Sequence, residues 1–369
     1  MEALLGEFSN SELSRPLLQK VKEAAQLFIE KKGRRPAFME VCGSHTMALA
    51  QSGIKKALEG YVNLISGPGC PVCVTDQKTI DAMIQLAEGE NRIICTFGDM
   101  VRVPGTKYSL LEKKTEGKDI RIVYAPVDAV TIAEQNPEKD VIFLGIGFET
   151  TIPVLAATLK KAMEKDVQNF SMWMTTKLVE PILRYLLEMK ELNIDGFLLP
   201  GHVSIVLGKN HYKYLVEEYE TPSVIGGFEP VELLGSIYKL INQLLEERAE
   251  IENVYSYVVG NEGNKQARQL MEAYFERVDE AWRGIGVIEK SGMDLRPEYG
   301  KWDAKKKFHI SVEEPRKTKC RCGEIIRGLI SPKECPLFAK ACTPLNPIGP
   351  CMVSSEGACA AHFTYMRED

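Results

Sequence analysis

A chain of 369 residues exceeds one ordinary hydrophobic core, and at roughly 150 residues per domain it divides into two or three. With 44% hydrophobic and 26% charged residues it is globular in composition, which excludes wholesale disorder and fibrous repeats. A net charge of −5 gives no general attraction for nucleic acid. No apolar run approaches the ~18 residues of a membrane span, and residues 1–20 carry acidic side chains where a signal peptide has its apolar core, so a soluble, cytoplasmic protein is expected.

Residues 11–32 space Leu17, Leu18, Val21, Ala24, Ala25, Leu27 and Phe28 as one face of an amphipathic helix. From Arg35 short β-rich runs begin, each ending in a polar or glycine-rich turn: 37–41, 62–65, 92–95 and 120–124. Helical segments such as 79–87 separate the first three, an alternation that favours parallel sheet. The rhythm restarts near Asp140 with 141–144, 170–174, 196–199 and 223–225, and Thr150 and Ser204 are candidate helix caps. Two consecutive α/β units of about four strands each are therefore expected, followed by helices over 230–250 and 265–282. Beyond Gly284 the chain is proline-rich and irregular, and the basic run over 301–321 reads as a solvated linker or a face for an acidic partner.

The cysteines carry the chemistry. Six of the ten fall between Cys320 and Cys359, separated by one, twelve, six, eight and seven residues. In a cytoplasmic chain thiols this dense bind metal or do redox work. Iron–sulfur and zinc sites both need four thiolates, and the two left over could pair as a disulfide beside the site. Cys70-Pro71-Val72-Cys73 follows a strand and opens a helix, which puts its first thiol at an N-terminus suited to thiol–disulfide exchange or a soft metal, or forms a structural turn. Cys42 closes the first strand and His45 follows three residues on, within reach as base or hydrogen-bond partner, or as a buried core pair. Parallel strands bring their C-terminal ends to one edge, so Cys42, His45, Cys70 and Cys73 are expected to share a crevice as a soft-metal or redox centre. Glu149, Thr150, His202 and Glu229 also follow strands and would line the opposite wall, or serve as caps and loop anchors. Gly145-Ile146-Gly147 is only a fragment of a dinucleotide fingerprint, which disfavours nucleotide binding, and Cys95 belongs to an apolar strand.

Cys42-Gly43-Ser44-His45-Thr46, Gly67-Pro68-Gly69-Cys70-Pro71-Val72-Cys73, Phe97-Gly98-Asp99-Met100, Gly147-Phe148-Glu149-Thr150-Thr151, Pro200-Gly201-His202-Val203-Ser204 and the Cys-rich tail together resemble the HypD family of hydrogenase maturation factors. The resemblance covers about nine-tenths of the chain, from Arg35 onward, with Ser44 where Thr is also familiar. It implies two Rossmann-like α/β domains facing a cleft, over 35–139 and 140–265, an N-terminal segment 1–34 packing on the C-terminal domain, and a helical, Cys-rich domain over 266–369 holding a [4Fe–4S] cluster. It implies a scaffold that, with the small chaperone HypC, assembles the Fe(CN)2CO fragment of [NiFe]-hydrogenase, cyanide arriving from HypE. By position, Cys320, Cys335, Cys342 and Cys359 are the implied cluster ligands and Cys322 and Cys351 the extra disulfide pair. Cys42 is the implied iron ligand and Cys70 and Cys73 the exchangeable pair; His45, Glu149, His202 and Glu229 join the candidate site on their own positions after strands. An iron–sulfur-dependent thiol–disulfide reductase acting on a protein, and a zinc-stabilised binding module, are the competing readings of the same cysteines.

Overall fold

The computed structural model describes residues 14–315 and 318–367. The first turn of the helix expected from Ser11, and most of the 1–20 stretch read against a signal peptide, lie outside the described residues. The principal elements of the first half are α1 (Ser14–Lys32), β1 (Ala37–Glu40), α2 (Gly43–Gln51), β2 (Asn63–Ser66), α3 (Pro71–Val74), α4 (Gln77–Leu86), β3 (Arg92–Thr96), β4 (Asp119–Ile122), α5 (Val127–Gln135) and β5 (Asp140–Gly147). They continue with α6 (Ile152–Glu164), β6 (Phe170–Thr176), α7 (Val179–Glu188), β7 (Gly196–Pro200), α8 (Gly201–Leu207), β8 (Ser223–Gly226) and α9 (Pro230–Leu245). The last third holds β9 (Ile251–Asn253), α10 (Lys265–Tyr274), β10 (Phe275–Trp282), β11 (Gly286–Leu295), α11 (Cys322–Ile326) and α12 (Ala358–Tyr365).

Two separate parallel sheets with flanking helices stand where two α/β units were expected, ahead of a thiol-rich C-terminal region. One sheet has the order β2-β1-β7-β8-β9 and the other β4-β3-β5-β6. They do not follow one another along the chain. β3 pairs with β5 at Ile93–Val141 and Ile94–Ile142, while β7 returns to β1 at Phe38–Gly196 and Met39–Phe197. The expected succession of 35–139 and 140–265 is corrected accordingly: the second sheet, β3 to β6, is inserted into the first. Sequence order cannot reveal this, because strands buried on both faces read as apolar runs with no alternation to mark a neighbour. β1, β6, β7 and β8 are buried at every position.

The stripe of α1, Val21, Ala25 and Phe28, joins Leu233, Ile237, Leu240 and Ile241 of α9 in one apolar cluster. The N-terminal segment thus packs on the first sheet's own helix, which corrects its expected docking on the C-terminal domain. The helix expected over 230–250 ends at Leu245, and the one over 265–282 breaks at Phe275. There β10 and β11 form an antiparallel hairpin with a bulge between Val278 and Glu280. Phe275, Glu280 and Trp282 are buried while Glu276, Arg277 and Asp279 are exposed, a strand pattern blurred by the bulge. The basic run is partly spent on ion pairs within the chain, Lys305 with the part-buried Asp294 at 2.8 Å and Lys307 with Asp140 at the surface at 2.5 Å. Met39 of the first sheet, Leu144 of the second, Trp282 of the hairpin and Cys351 of the tail share one further core, so the site is framed by all four parts.

Candidate functional site

β1 ends at Glu40, and the chain turns through Val41 so that Cys42 is the N-cap of α2, with extended backbone (φ −144°, ψ 128°). This is the carboxyl edge of a parallel sheet, where ligands collect. Glu40 itself is braced in the interior. Its carboxylate meets Lys55 Nζ at 2.7 Å and accepts from the hydroxyls of Thr46 at 2.7 Å and Ser66 at 3.3 Å. The loop after β2 then runs directly beneath Cys42: a Cβ at Gly69 would lie 2.4 Å from Cys42 Cα, so glycine alone permits the approach. Cys70 follows at once as N-cap of α3, and Cys73 N–H donates to its sulfur at 3.2 Å. Cys70 and Cys73 are joined in a disulfide. Strand adjacency therefore brings Cys42 and the Cys-Pro-Val-Cys turn together.

Cys42 keeps some exposure, but its surroundings are dense. Burial, and then the charge of Glu356, push its thiol up to about 11 against the pull of the Ser44 and His45 amides. Glu356 arrives from the tail and accepts a hydrogen bond from Ser44 Oγ at 2.5 Å. Nothing in its own motif marks it; its place between Cys351 and Cys359 is the one signal that could have found it. His45 turns away from the sulfurs. Its Nε2 lies 3.0 Å from Gly227 O and 3.3 Å from Gly226 O, two acceptors that fix the proton on that nitrogen. Nδ1 is buried without a protein partner, and burial lowers the imidazole to about 4.

His202 and Glu229 were expected on the wall facing Cys42, but they stand on the same sheet, because β7 and β8 lie beside β1. His202 stacks on Phe228 at 4.1 Å, and Phe228 in turn lies 4.8 Å from the His45 ring. Glu229 is exposed at the N-cap of α9, its N–H donating to Glu232 at 3.0 Å. Of the expected carboxylates and histidines, Glu149 alone comes from the second sheet. Its Oε1 accepts from Val179 N–H at 2.8 Å, Oε2 is buried without a partner, and burial pushes the carboxyl up to about 7. Tyr212 is fully buried and 3.1 Å from Ser204 Oγ, and burial pushes its hydroxyl well up, so it stays protonated. Ser204 is not a cap; it lies inside α8 with its hydroxyl on Pro200 O, and Thr151 rather than Thr150 occupies the N-cap position of α6, with no capping bond from its side chain.

The tail completes the site. Cys73 Sγ lies 3.9 Å from Pro350 O, one residue before Cys351, and Cys70, Cys73, Cys351, Thr46 and Glu356 line one small cavity. A second cavity is lined by Cys320, Cys322, Cys335, Cys342 and Cys359. Cys320 and Cys322 sulfurs are 3.1 Å apart, and Cys351 lies near enough to Cys322 for each thiol to shift the other's acidity. Both Cys322 and Cys351 are free thiols here, so the implied disulfide between them is not formed, in contrast to Cys70–Cys73. Among the described residues no group of three or more His, Cys, Asp or Glu is arranged round a single metal ion. The thiols instead ring a cavity with apolar walls of Ile325, Leu337, Phe338 and Met352. A Cβ at Gly349 would fall 2.6 Å from both Cys320 and Cys322 sulfurs, and Ile348 N–H donates to Cys342 Sγ at 3.3 Å. Thiolates, a backbone cradle and an amide donor match the needs of a polynuclear iron–sulfur core.

The family model HypD, described as the hydrogenase formation hypA family, matches residues 12–366. The chain belongs to the HypD family of hydrogenase maturation factors. It is 41% identical over 368 residues to hydrogenase maturation factor HypD of Escherichia coli (strain K12), covering 98% of each chain. It is 41% identical over 370 residues to the HypD of Cupriavidus necator, covering 98% of this chain and 96% of that one. A putative hydrogenase expression/formation protein of Methanocaldococcus jannaschii is 40% identical over 354 residues, 96% of this chain and 98% of its own. The HypD match spans the whole site, from Cys42 to Cys359. No helix among the described residues of this HypD family member is long and apolar enough to cross a membrane.

Proposed function

We propose that this HypD family member is the scaffold on which, with HypC, iron receives its cyanide and carbonyl ligands to give Fe(CN)2CO, cyanide arriving from HypE. The observation that carries the reading is Cys42: a lone free thiol whose backbone touches the loop of a formed disulfide, under a carboxylate from the tail. Low-spin iron bearing cyanide and carbonyl is a soft centre that thiolates hold well. Without cargo, burial and Glu356 keep Cys42 protonated. An arriving cation displaces that proton, and the N-terminus of α2 supports the thiolate that results. His45 holds the Gly226–Gly227 loop, and with it the Phe228–His202 stack, at the rim. Glu149, at about 7, is poised to keep or release a proton near neutrality.

Cys320, Cys335, Cys342 and Cys359 are the residues that would hold a [4Fe–4S] cluster, which when bound supplies electrons to neighbouring thiols. Cys70–Cys73 and Cys322–Cys351 are the dithiol pairs that would take them up and exchange. Infrared spectra of the protein purified anaerobically with HypC test the reading. Cys42→Ala is expected to fold and to lack the cyanide and carbonyl stretches; a variant that retains both refutes the iron-ligand role.

The closed Cys70–Cys73 bond beside Cys351 also favours a second reading, an iron–sulfur-dependent thiol–disulfide reductase acting on a protein. Reduction of a generic disulfide substrate by the purified chain, with no HypC present, separates it from the first.

A further inference from the structure

The β10–β11 hairpin is distant in sequence from both cysteine motifs, yet its tip touches both. Arg283 N–H donates to Val74 O, its Nε to Thr75 O and its Nη1 to Gln77 Oε1, each at 2.8 Å. Trp282 forms an antiparallel bridge with Thr75. These contacts grip the chain directly after Cys73. On its other side the next residue, Gly284, has φ +67° and lies against α11: a Cβ there would be 2.5 Å from Gly323 Cα. Gly323 follows Cys322. The hairpin is itself immobilised, for Glu280 pairs with the buried Lys177 at 2.8 Å and Trp282 Nε1 donates to Ser291 at 2.8 Å. The remaining guanidinium nitrogen of Arg283, Nη2, is buried with no partner.

We infer that Arg283 is a positioning residue, clamping the Cys70–Cys73 turn against the C-terminal thiol region and so setting how readily that disulfide opens. This rests on the reading of Cys70–Cys73 as an exchangeable pair. A planar guanidinium with several donors in a fixed fork holds the Thr75 carbonyl and the Gln77 side-chain oxygen at once, while the backbone N–H holds Val74 O; a lysine ammonium cannot make the two side-chain bonds in the same geometry. Holding the turn keeps the two cysteines in register for closure, with Cα atoms 5.2 Å apart. Releasing it gives the open dithiol more freedom and makes closure less favourable.

The test is an equilibrium of the full-length, anaerobically purified protein with dithiothreitol. The protein disulfide becomes two thiols, two electrons and two protons being supplied by one dithiothreitol that closes to its cyclic disulfide. Alkylation and peptide mass spectrometry read the state of Cys70 and Cys73 without any iron cargo or partner. Arg283→Ala and Arg283→Lys are both expected to shift the equilibrium toward the dithiol by about tenfold, about 30 mV for a two-electron couple. An Arg283→Lys variant that matches the wild type assigns the effect to charge and overturns the positioning role. So does a fall in melting temperature with an unmoved equilibrium, which makes Arg283 structural only. A wild-type bond that stays closed at every dithiothreitol ratio overturns both this inference and the exchangeable-pair reading on which it rests.

Discussion

Ser44 and Glu356, 312 positions apart, meet in a 2.5 Å hydrogen bond beside Cys42. The tail therefore reaches back over the first loop of the fold and places a negative charge beside the Cys42 thiol, where it opposes deprotonation. Glu356→Gln removes that charge and keeps a hydrogen-bonding side chain. Cys42 is then expected to deprotonate more readily and to react with iodoacetamide several-fold faster at pH 8, scored by mass spectrometry of the 36–55 peptide. An unchanged rate means that burial alone governs the thiol.

Glu149 gives a pH dependence with a definite sign. Its folded-state carboxyl is raised from 4.5 to about 7. Between those values the folded protein holds a proton that the unfolded chain has released, so stability falls as pH rises through the window and levels off above it. Glu149→Gln should flatten that part of the profile and should exceed the wild type in melting temperature at pH 8 by more than at pH 4.5. Parallel curves for the two proteins would mean that Glu149 does not titrate there.

Lys55 and Glu40 are both buried, with side chains 4% and 0% exposed. Lys55→Met leaves a carboxylate stranded two residues before Cys42, at an expected cost of about 3 kcal/mol in denaturant unfolding. The double change Glu40→Gln with Lys55→Met should recover most of it. Failure to recover would place the cost in packing rather than charge.

Cys322 lines the same cavity as the four proposed cluster ligands, so substitution is what tells their roles apart. Cys335→Ala is expected to bleach the brown colour of the purified protein, with loss of acid-labile sulfide, whereas Cys322→Ala keeps both. Equal bleaching in the two would mean that Cys322 is a ligand, which its 3.1 Å separation from Cys320 makes a sharp question.

Each strand core from Ala37 to Ile225 was legible because β-rich runs between turn residues leave few alternatives, and no observed bound differs by more than three residues. The Cys-Pro-Val-Cys turn was legible as well, since proline at the first helical position and a preceding strand fix its geometry locally. Partnership between strands was not. That His202 joins Cys42 on one sheet edge depends on β7 returning to β1 across the 155 residues between Glu40 and Gly196, and no local preference encodes it. Glu356 and Lys55 stayed hidden for the related reason that a charged residue in a sequence looks like surface until the fold buries it. The β10–β11 hairpin was obscured because its bulge breaks the two-residue period at Val278.

The insertion of one sheet within the other has a consequence for synthesis. β1 emerges early from the ribosome, but the neighbour that covers it, β7, is made only after the whole inserted sheet. The Cys42 loop then still lacks its tail carboxylate until Glu356 has been translated. A nascent polypeptide therefore leaves the Cys42 loop incompletely packed until a segment 312 positions beyond Ser44 has been made.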